Sequence, residues 1–515
     1  MSKSNRIAQS AMMISLFTLM SKMLGFVREM LIAAKYGSGY ETDTYFVAMT
    51  ATTMIMTTIG SALNTSLVPV FTEVEERRGR KGKLKFLNNI FNVVFFISLI
   101  IAVLDFFLSP LIIRIVASGF EGEQFQLAVQ LNRIGLPIVV FLGFTYVFSG
   151  FLHSSQIFGP PAIMGLPYNL VFIIFLLFMA NKENIHALMV VSVIASSTQF
   201  LIQLPAVRHK GFRYRLDVDF SDIYIRKTLM LVLPVLLGSA VQQINTIVDK
   251  TLASGLAEGS ISSLSYSAKI NDVVVSVFIA AITTVIFPML SRAFSQGDSG
   301  QVKQIMSQGI NIILLITVPA AVGIMVLAEP IVSVFFERGH FTSKDTIMTS
   351  QALFCYSLGL VGISLRLMLN KVFYSLQDTK TPMINGALAV GLNIILNLIF
   401  VRFMAHAGLA LATSISTTFT SVMLFINLRK KIGPIGIKGY IRCLVKTLIA
   451  AMIMGAVVYF TFYGLTDSYD FNKISESLIL LLSVGLGAIV YFILCILLKV
   501  NELKVLISGF GRIKG

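Results

Sequence analysis

The chain has 515 residues, 56% of them hydrophobic and only 13% charged, with a formal net charge of +16 and a mean hydropathy of +0.82. Apolar runs of membrane-spanning length recur from end to end with no stretch of soluble-domain composition between them, which excludes a soluble protein. The positive charge falls mostly in alternate loops, as membrane topology requires, so it does not point to a nucleic-acid partner.

Runs such as 93–104 and 478–498 are almost continuously apolar, which fits helices and not the short alternating strands of a barrel. The expected fold is an all-α polytopic membrane protein with about fourteen spans of ~20 residues. Their limits are 8–36, 44–71, 87–117, 126–153, 159–180, 185–206, 227–255, 261–291, 304–335, 346–376, 381–404, 406–428, 440–463 and 474–499. The polar start carries Lys3 and Arg6, and no small-residue cleavage site follows, so it reads as a retained first helix.

Within the first span, Lys22, Gly25 and Glu29 share one helical face at i, i+3 and i+7, with Arg28 about 100° away. A charge at the middle of a lipid-exposed helix costs about 2.5–3.5 kcal/mol. Either the charges pair inside the span, Glu29 with Lys22 for instance, or an arginine snorkels to an interface. The third reading is a wet, protein-lined cavity, which two cations against one acid favour. Gly25 permits a bend or a close approach there. Asp43 ends the short loop 37–43 and reads equally as a helix N-cap for span two or as an outer-gate partner of Arg28 or Lys22.

Basic residues cluster after span two (Arg77, Arg78, Arg80, Lys81, Lys83, Lys85), after span six and after span twelve (Arg429, Lys430, Lys431, Lys438, Arg442). The loops 37–43, 118–125, 256–260 and 405–408 hold no Lys or Arg, and Lys182, Arg338 and Lys344 are the outer exceptions. By the positive-inside rule both termini are cytoplasmic.

An internal repeat is visible. Ser154-Ser-Gln156 and Pro161 match Ser375-Leu-Gln377 and Pro382 at an offset of 221, Phe120 and Phe341 share that offset, and Pro69 and Pro288 lie 219 apart. Spans 1–6 (1–225) and 7–12 (226–430) then form two duplicated lobes, related by a pseudo-two-fold along the membrane normal, with two C-terminal helices and a tail in 431–515. Two such lobes suit alternating access, and no acidic ring or carbonyl-filter sequence marks a narrow pore.

In the second lobe Lys269, in Tyr266-Ser-Ala-Lys-Ile-Asn271, joins Lys22 and Arg28 as a candidate cationic site for an anion drawn from both lobes. Asp249, the stacked pair Asn393 and Asn397, and Thr413 offer hard oxygen ligands for a small cation, with interhelical hydrogen bonding as the structural alternative. The three cysteines lack metal-ligand spacing, the five histidines are scattered, and no Walker, HExxH or nucleophile-elbow motif occurs, so an enzyme is not expected.

Ser21-Lys-Met-Leu-Gly-Phe-Val-Arg-Glu29 resembles the first-helix signature of the MurJ (MviN) lipid II flippases of the multidrug/oligosaccharidyl-lipid/polysaccharide exporter superfamily. Thr42-Asp-Thr-Tyr-Phe-Val-Ala48, Leu67-Val-Pro69, Gly339-His-Phe-Thr342 and Phe373-Tyr-Ser-Leu-Gln-Asp-Thr-Lys-Thr-Pro382 extend the likeness over nearly the whole chain. The resemblance implies a fourteen-helix, V-shaped protein of the bacterial inner membrane that moves undecaprenyl-pyrophosphate-linked peptidoglycan precursor to the outer leaflet. It implies membrane lipids and cell-wall synthesis proteins as partners and no cofactor beyond a sodium coupling ion.

Carried over by position, Lys22, Arg28 and Lys269 fall where the family has cavity arginines, with Glu29 and Asp43 at its acidic gate positions. Asp249, Asn393, Asn397 and Thr413 fall near a sodium site that some members have. Three departures are evident: lysines replace arginine at 22 and 269, Met54-Ile-Met-Thr-Thr58 lacks the basic residues many members carry, and Asn397 stands where an acid is expected. A flippase for another polyprenyl-pyrophosphate-linked glycan, or a drug/cation antiporter of the superfamily, are the alternatives.

Overall fold

The computed structural model describes residues 3–181, 184–216, 218–466, 473–500 and 503; Lys182 lies outside them. Every regular element among the described residues is helical. Among the described residues eight helices are long and apolar enough to cross a membrane, or ten when two bent pairs each count as one. Fourteen crossings is a reading of the apolar runs, two of which share a single long helix in two places. Tyr40–Val116 breaks at Gly79, and Lys380–Ile432 breaks at Ala405.

Packing divides the chain into two compact units, 1–262 with 339–341, and 263–338 with 342–515. The first contains α1 (Lys3–Tyr36), α2 (Tyr40–Val116), α3 (Gly122–Gly135), α4 (Pro137–Ser154), α5 (Gly159–Ile163), α6 (Gly165–Phe178), α7 (Ile185–Leu201), α8 (Leu204–His209) and α9 (Ile223–Ser254). This division falls after Ser262, not at the 225/226 junction of the repeat, because α9 packs along α2. Thr251 Oγ1 donates to the Ile115 carbonyl at 2.7 Å, and Lys227 pairs with Glu73.

Gly79, at φ 65°, takes a left-handed conformation that costs glycine little and lets the two apolar runs of α2 fold back toward each other within the basic segment. Aromatic rings fill the core beside that turn: Phe71 meets Phe86 at 5.1 Å and Phe151 at 5.6 Å, and Phe91 stacks on Phe144 at 4.3 Å. Lower in dielectric than any loop, the interior must satisfy its polar groups. Fully buried Asn132 of α3 does so, accepting from Thr52 Oγ1 at 2.8 Å while donating to Asp105 Oδ1 at 2.8 Å and Ser109 Oγ at 2.9 Å.

α10 (Ser260–Val274) begins in the first unit and continues into the second. There follow a π-helical turn (Val275–Ile279), α11 (Ala280–Ser295), α12 (Ser299–Val326), α13 (Ala328–Phe336), α14 (Ser343–Leu358), α15 (Leu360–Ser375), α16 (Lys380–Ile432), α17 (Ile437–Thr466) and α18 (Lys473–Leu497). α12 is central, packed by α11, α15 and α17. Small residues bring α16 close to its neighbours: Ser421 Oγ donates to the Gly362 carbonyl at 2.6 Å and Ser414 Oγ to that of Cys355 at 2.7 Å. All three cysteines are buried and free, which fits small packing residues.

The repeat has a geometric counterpart. Gln156 and Gln377, 221 positions apart, are both non-glycine residues in the left-handed region, at φ 56° and 57°. Each ends a helix with the same bond: Ile157 N donates to Leu152 O at 2.9 Å, and Asp378 N to Phe373 O at 2.9 Å. A conformation that L-residues avoid thus recurs at the offset read from the sequence.

Candidate functional site

α1 runs unbroken through Gly25, so the bend that this glycine permits is absent. A Cβ there would touch Asn169 at an ordinary 3.7 Å. The close approach between α1 and α6 is instead at Gly165, where a Cβ would fall 1.9 Å from Ser21 Oγ. That contact lets Asn169 donate to the Ser21 carbonyl at 2.9 Å and so face Arg28.

Arg28 is held on several sides. Its guanidinium donates to Glu29 Oε1 at 2.6 Å and to Asn169 Oδ1 at 3.2 Å, and it lies 5.4 Å from the Tyr168 ring and 5.1 Å from that of Phe172. The acid that pairs within the span is thus joined to Arg28 and not to Lys22. Arg28 is 15% exposed and Glu29 5%. Its Nε, also buried, has no hydrogen-bond partner, nor has Glu29 Oε2. Lys22, two turns earlier, is exposed. The guanidinium is therefore aimed and stacked, with donor capacity to spare for an anion's oxygens.

Asp43 takes neither sequence-derived role in the expected form. Gly39 is the N-cap of α2, while the Asp43 carboxylate accepts from Gly259 N at 2.8 Å, Ser262 N at 2.7 Å and Ser262 Oγ at 2.6 Å. It ties the first turn of α2 to Gly259 and the first turn of α10. The neighbouring Gly339-His-Phe341 motif clips the same end of α1, with His340 N donating to Ala34 O at 2.9 Å. Gly37 and Gly339, both at positive φ, leave room for it, since a Cβ on either would meet backbone within 2.7 Å.

Asp249 receives Asn245 Nδ2 at 3.2 Å, and the adjacent Lys250 ammonium lies over the Phe46 ring at 5.5 Å, within Coulombic reach of Asp43, Asp249 and Glu29. In the second unit, Asn397 donates to Asn393 at 2.8 Å, and Asn393 donates to Thr413 Oγ1 and Ser416 Oγ at 3.3 Å each. The structure therefore brings three of the four candidate sodium ligands together, as a buried amide and hydroxyl cluster. Lys269 is half-buried on α10 in the same unit. Among the described residues no three His, Cys, Asp or Glu side chains converge on a metal-sized space.

Tyr168 and Asn169 escaped the sequence reading, although Asn169 is the single amide in the apolar run of α6, and that isolation is a signal. A further feature of the second unit is an apolar groove of about 760 Å³ between α12, α16 and α17, lined by Leu314, Phe425 and Leu444 with Arg429 and Lys430 at one end.

A Vibrio cholerae protein described as a probable lipid II flippase MurJ is 32% identical over 441 residues, covering 82% of this chain and 83% of its own. The lipid II flippase MurJ of Burkholderia cenocepacia is 28% identical over 458 residues, covering 87% and 88%. A solved structure of lipid II flippase MurJ in an inward closed conformation superposes with a TM-score of 0.79 at 26% identity, over 95% of this chain and 99% of that one. An inward-facing multidrug resistance MATE family transporter shares the fold, with a TM-score of 0.69 at 14% identity, over 82% and 98%. The profile of the lipid II flippase MurJ family matches residues 32–479, and this multi-pass membrane chain belongs to that family.

Proposed function

We propose that the protein translocates lipid II, the polyprenyl-diphosphate-linked peptidoglycan precursor, from the cytoplasmic to the outer leaflet of the bacterial inner membrane by alternating access. Both termini would be cytoplasmic, where the basic loops lie. The observation that carries the reading is Arg28: a buried, stacked guanidinium with an unengaged Nε–H, in a chain of this family. Lys22, Arg28 and Lys269 would hold the diphosphate, whose charges cannot cross hydrocarbon unaided. The groove beside Arg429 and Lys430 suits an isoprenoid chain with its charged end at the basic face.

Glu29 and Asp43 would serve the gate, Glu29 by holding Arg28 and Asp43 by fastening Gly259 and Ser262. Gly25 would serve the gate as the point at which α1 can bend during the cycle. An inside-negative potential favours export of the anion by roughly 2.3 kcal/mol per charge per 100 mV. Sodium is the candidate coupling ion at Asp249, Asn393, Asn397 and Thr413, whose amide and hydroxyl oxygens suit a hard cation. Sodium-dependent thermal stabilisation lost in Asn393→Ala would support it. Cell-wall synthesis proteins are candidate partners.

The test is leaflet accessibility of labelled lipid II in cells dependent on this protein. Lys22→Ala with Arg28→Ala is expected to abolish outer-leaflet lipid II while folded protein remains in the membrane. Retained transport would overturn the assignment.

A further inference from the structure

The two halves of the repeat end alike on the basic face but differ in one carboxylate. In the second unit Asp378 accepts from Lys431 Nζ at 2.5 Å. At the offset of 221 set by Gln156 and Gln377, the counterpart of Lys431 is Lys210 and the counterpart of Asp378 is Ile157. Arg208 and Arg429, and the buried Val207 and Leu428, keep the same register. The first unit thus retains the cation and lacks the acid.

Lys210 instead borders a cavity of about 370 Å³, lined with it by Arg80, Lys83, Glu75, Ser154 and Ser155, while Ile157 packs against the apolar core. Lys83 is 2% exposed, an uncommon state for a lysine, and donates to Glu75 at 2.7 Å and Ser155 Oγ at 3.0 Å. Its ammonium lies 5.3 Å from the Phe151 ring. Arg80 donates to the Lys210 carbonyl at 3.0 Å, which fixes the guanidinium beside the opening. Three cations face one carboxylate in a pocket whose floor is made by a buried ammonium.

We propose that this cavity is a binding site for a phosphate group, which supplies from outside the negative charge that Asp378 supplies in the second unit. Arg80 and Lys210 contact the phosphate oxygens, and Lys83 holds the floor through Glu75 and Ser155. The site lies on the face of the basic loops and within the first unit alone, apart from the Arg28 site. The phosphate comes either from the headgroup of an anionic membrane lipid or from a soluble phosphate ester.

The experiment uses the full chain in phosphatidylcholine nanodiscs and reads the thermal unfolding midpoint. One arm adds phosphatidylglycerol to the bilayer and the other adds glycerol 3-phosphate to the buffer. One of the two raises the midpoint of the unsubstituted protein, and which one does so identifies the source. Arg80→Ala with Lys210→Ala weakens the response at least tenfold in probe concentration, and so does Ile157→Asp, which installs the missing carboxylate. Lys438→Ala, an exposed charge in the first turn of α17, leaves it unchanged. No response to either probe, retention of the response in the double variant, or equal loss in Lys438→Ala overturns the proposal. Should Ile157→Asp fail to fold, the double variant decides.

Discussion

The guanidinium of Arg28 lies 2.6 Å from the carboxylate of Glu29, its immediate neighbour in the chain. Consecutive helical residues point about 100° apart, so the contact forms only where both side chains turn into one space. Asn169 and the rings of Tyr168 and Phe172 define that space. Arg28→Ala leaves a buried carboxylate unpaired and is expected to cost about 3–5 kcal/mol of stability as well as translocation. Arg28→Lys keeps the charge but loses the planar fork, and should fall between. Thermal unfolding of purified protein, run beside the lipid II accessibility assay, separates the two losses. An unchanged unfolding temperature in Arg28→Ala would remove the pair from any account of stability.

Lys22 predicts the opposite partition. It is exposed on α1, and surface substitutions away from special features usually stay within about ±0.5 kcal/mol. Lys22→Ala should therefore unfold at the same temperature as the parent and yet fail to deliver lipid II, while Lys22→Arg restores delivery. Full delivery by Lys22→Ala would take this residue out of the substrate site.

The legible part of this protein was set by solvent. Long apolar runs can only be buried helices, and charges kept inside them need a structural reason, so the fold class and the interest of Lys22, Arg28 and Glu29 follow from composition and position. The repeat is read from the matched Ser, Gln, Pro and Phe positions, two of which, Gln156 and Gln377, share a left-handed backbone. Partners distant in sequence were not. Asn169 lies 141 residues from Arg28, and Ser262 lies 219 from Asp43, and nothing local specifies either meeting. Gly25 misled for the converse reason: glycine in a helix permits a bend, but α1 packs straight on α6 through Gly165.

Asp43 gives a prediction about fastening. Both of its oxygens are engaged, one by Gly259 N and the other by Ser262 N and Oγ. Asp43→Asn keeps one acceptor and turns the other into a donor facing donors. The expected cost is about 1–3 kcal/mol, because a buried N–H is left without a partner. Hydrogen exchange should quicken at the amides of Gly259 and Ser262 before it does so in the aromatic core around Phe71. Exchange unchanged at those two amides would mean that the loop is held by His340 and Ala34 instead.

Asp378, in the turn between α15 and α16, gives a dependence on pH. Burial pushes its carboxyl up, but the hydrogen bond from Lys431 and those from Thr381 N and Oγ1 outweigh it and hold the group at about 2, below the ordinary 3.8. The folded-state value lies below the unfolded one, so the stabilisation is fully present above about pH 4 and is lost as pH falls toward 2. Lys431 is 42% exposed, and an exposed pair is worth about 0.2–1 kcal/mol. Lys431→Met should therefore unfold slightly earlier than the parent at pH 6, with a gap that closes as the pH is lowered through 3.8. A gap constant across that range would show that Lys431 acts through its packed aliphatic stem and not through its charge.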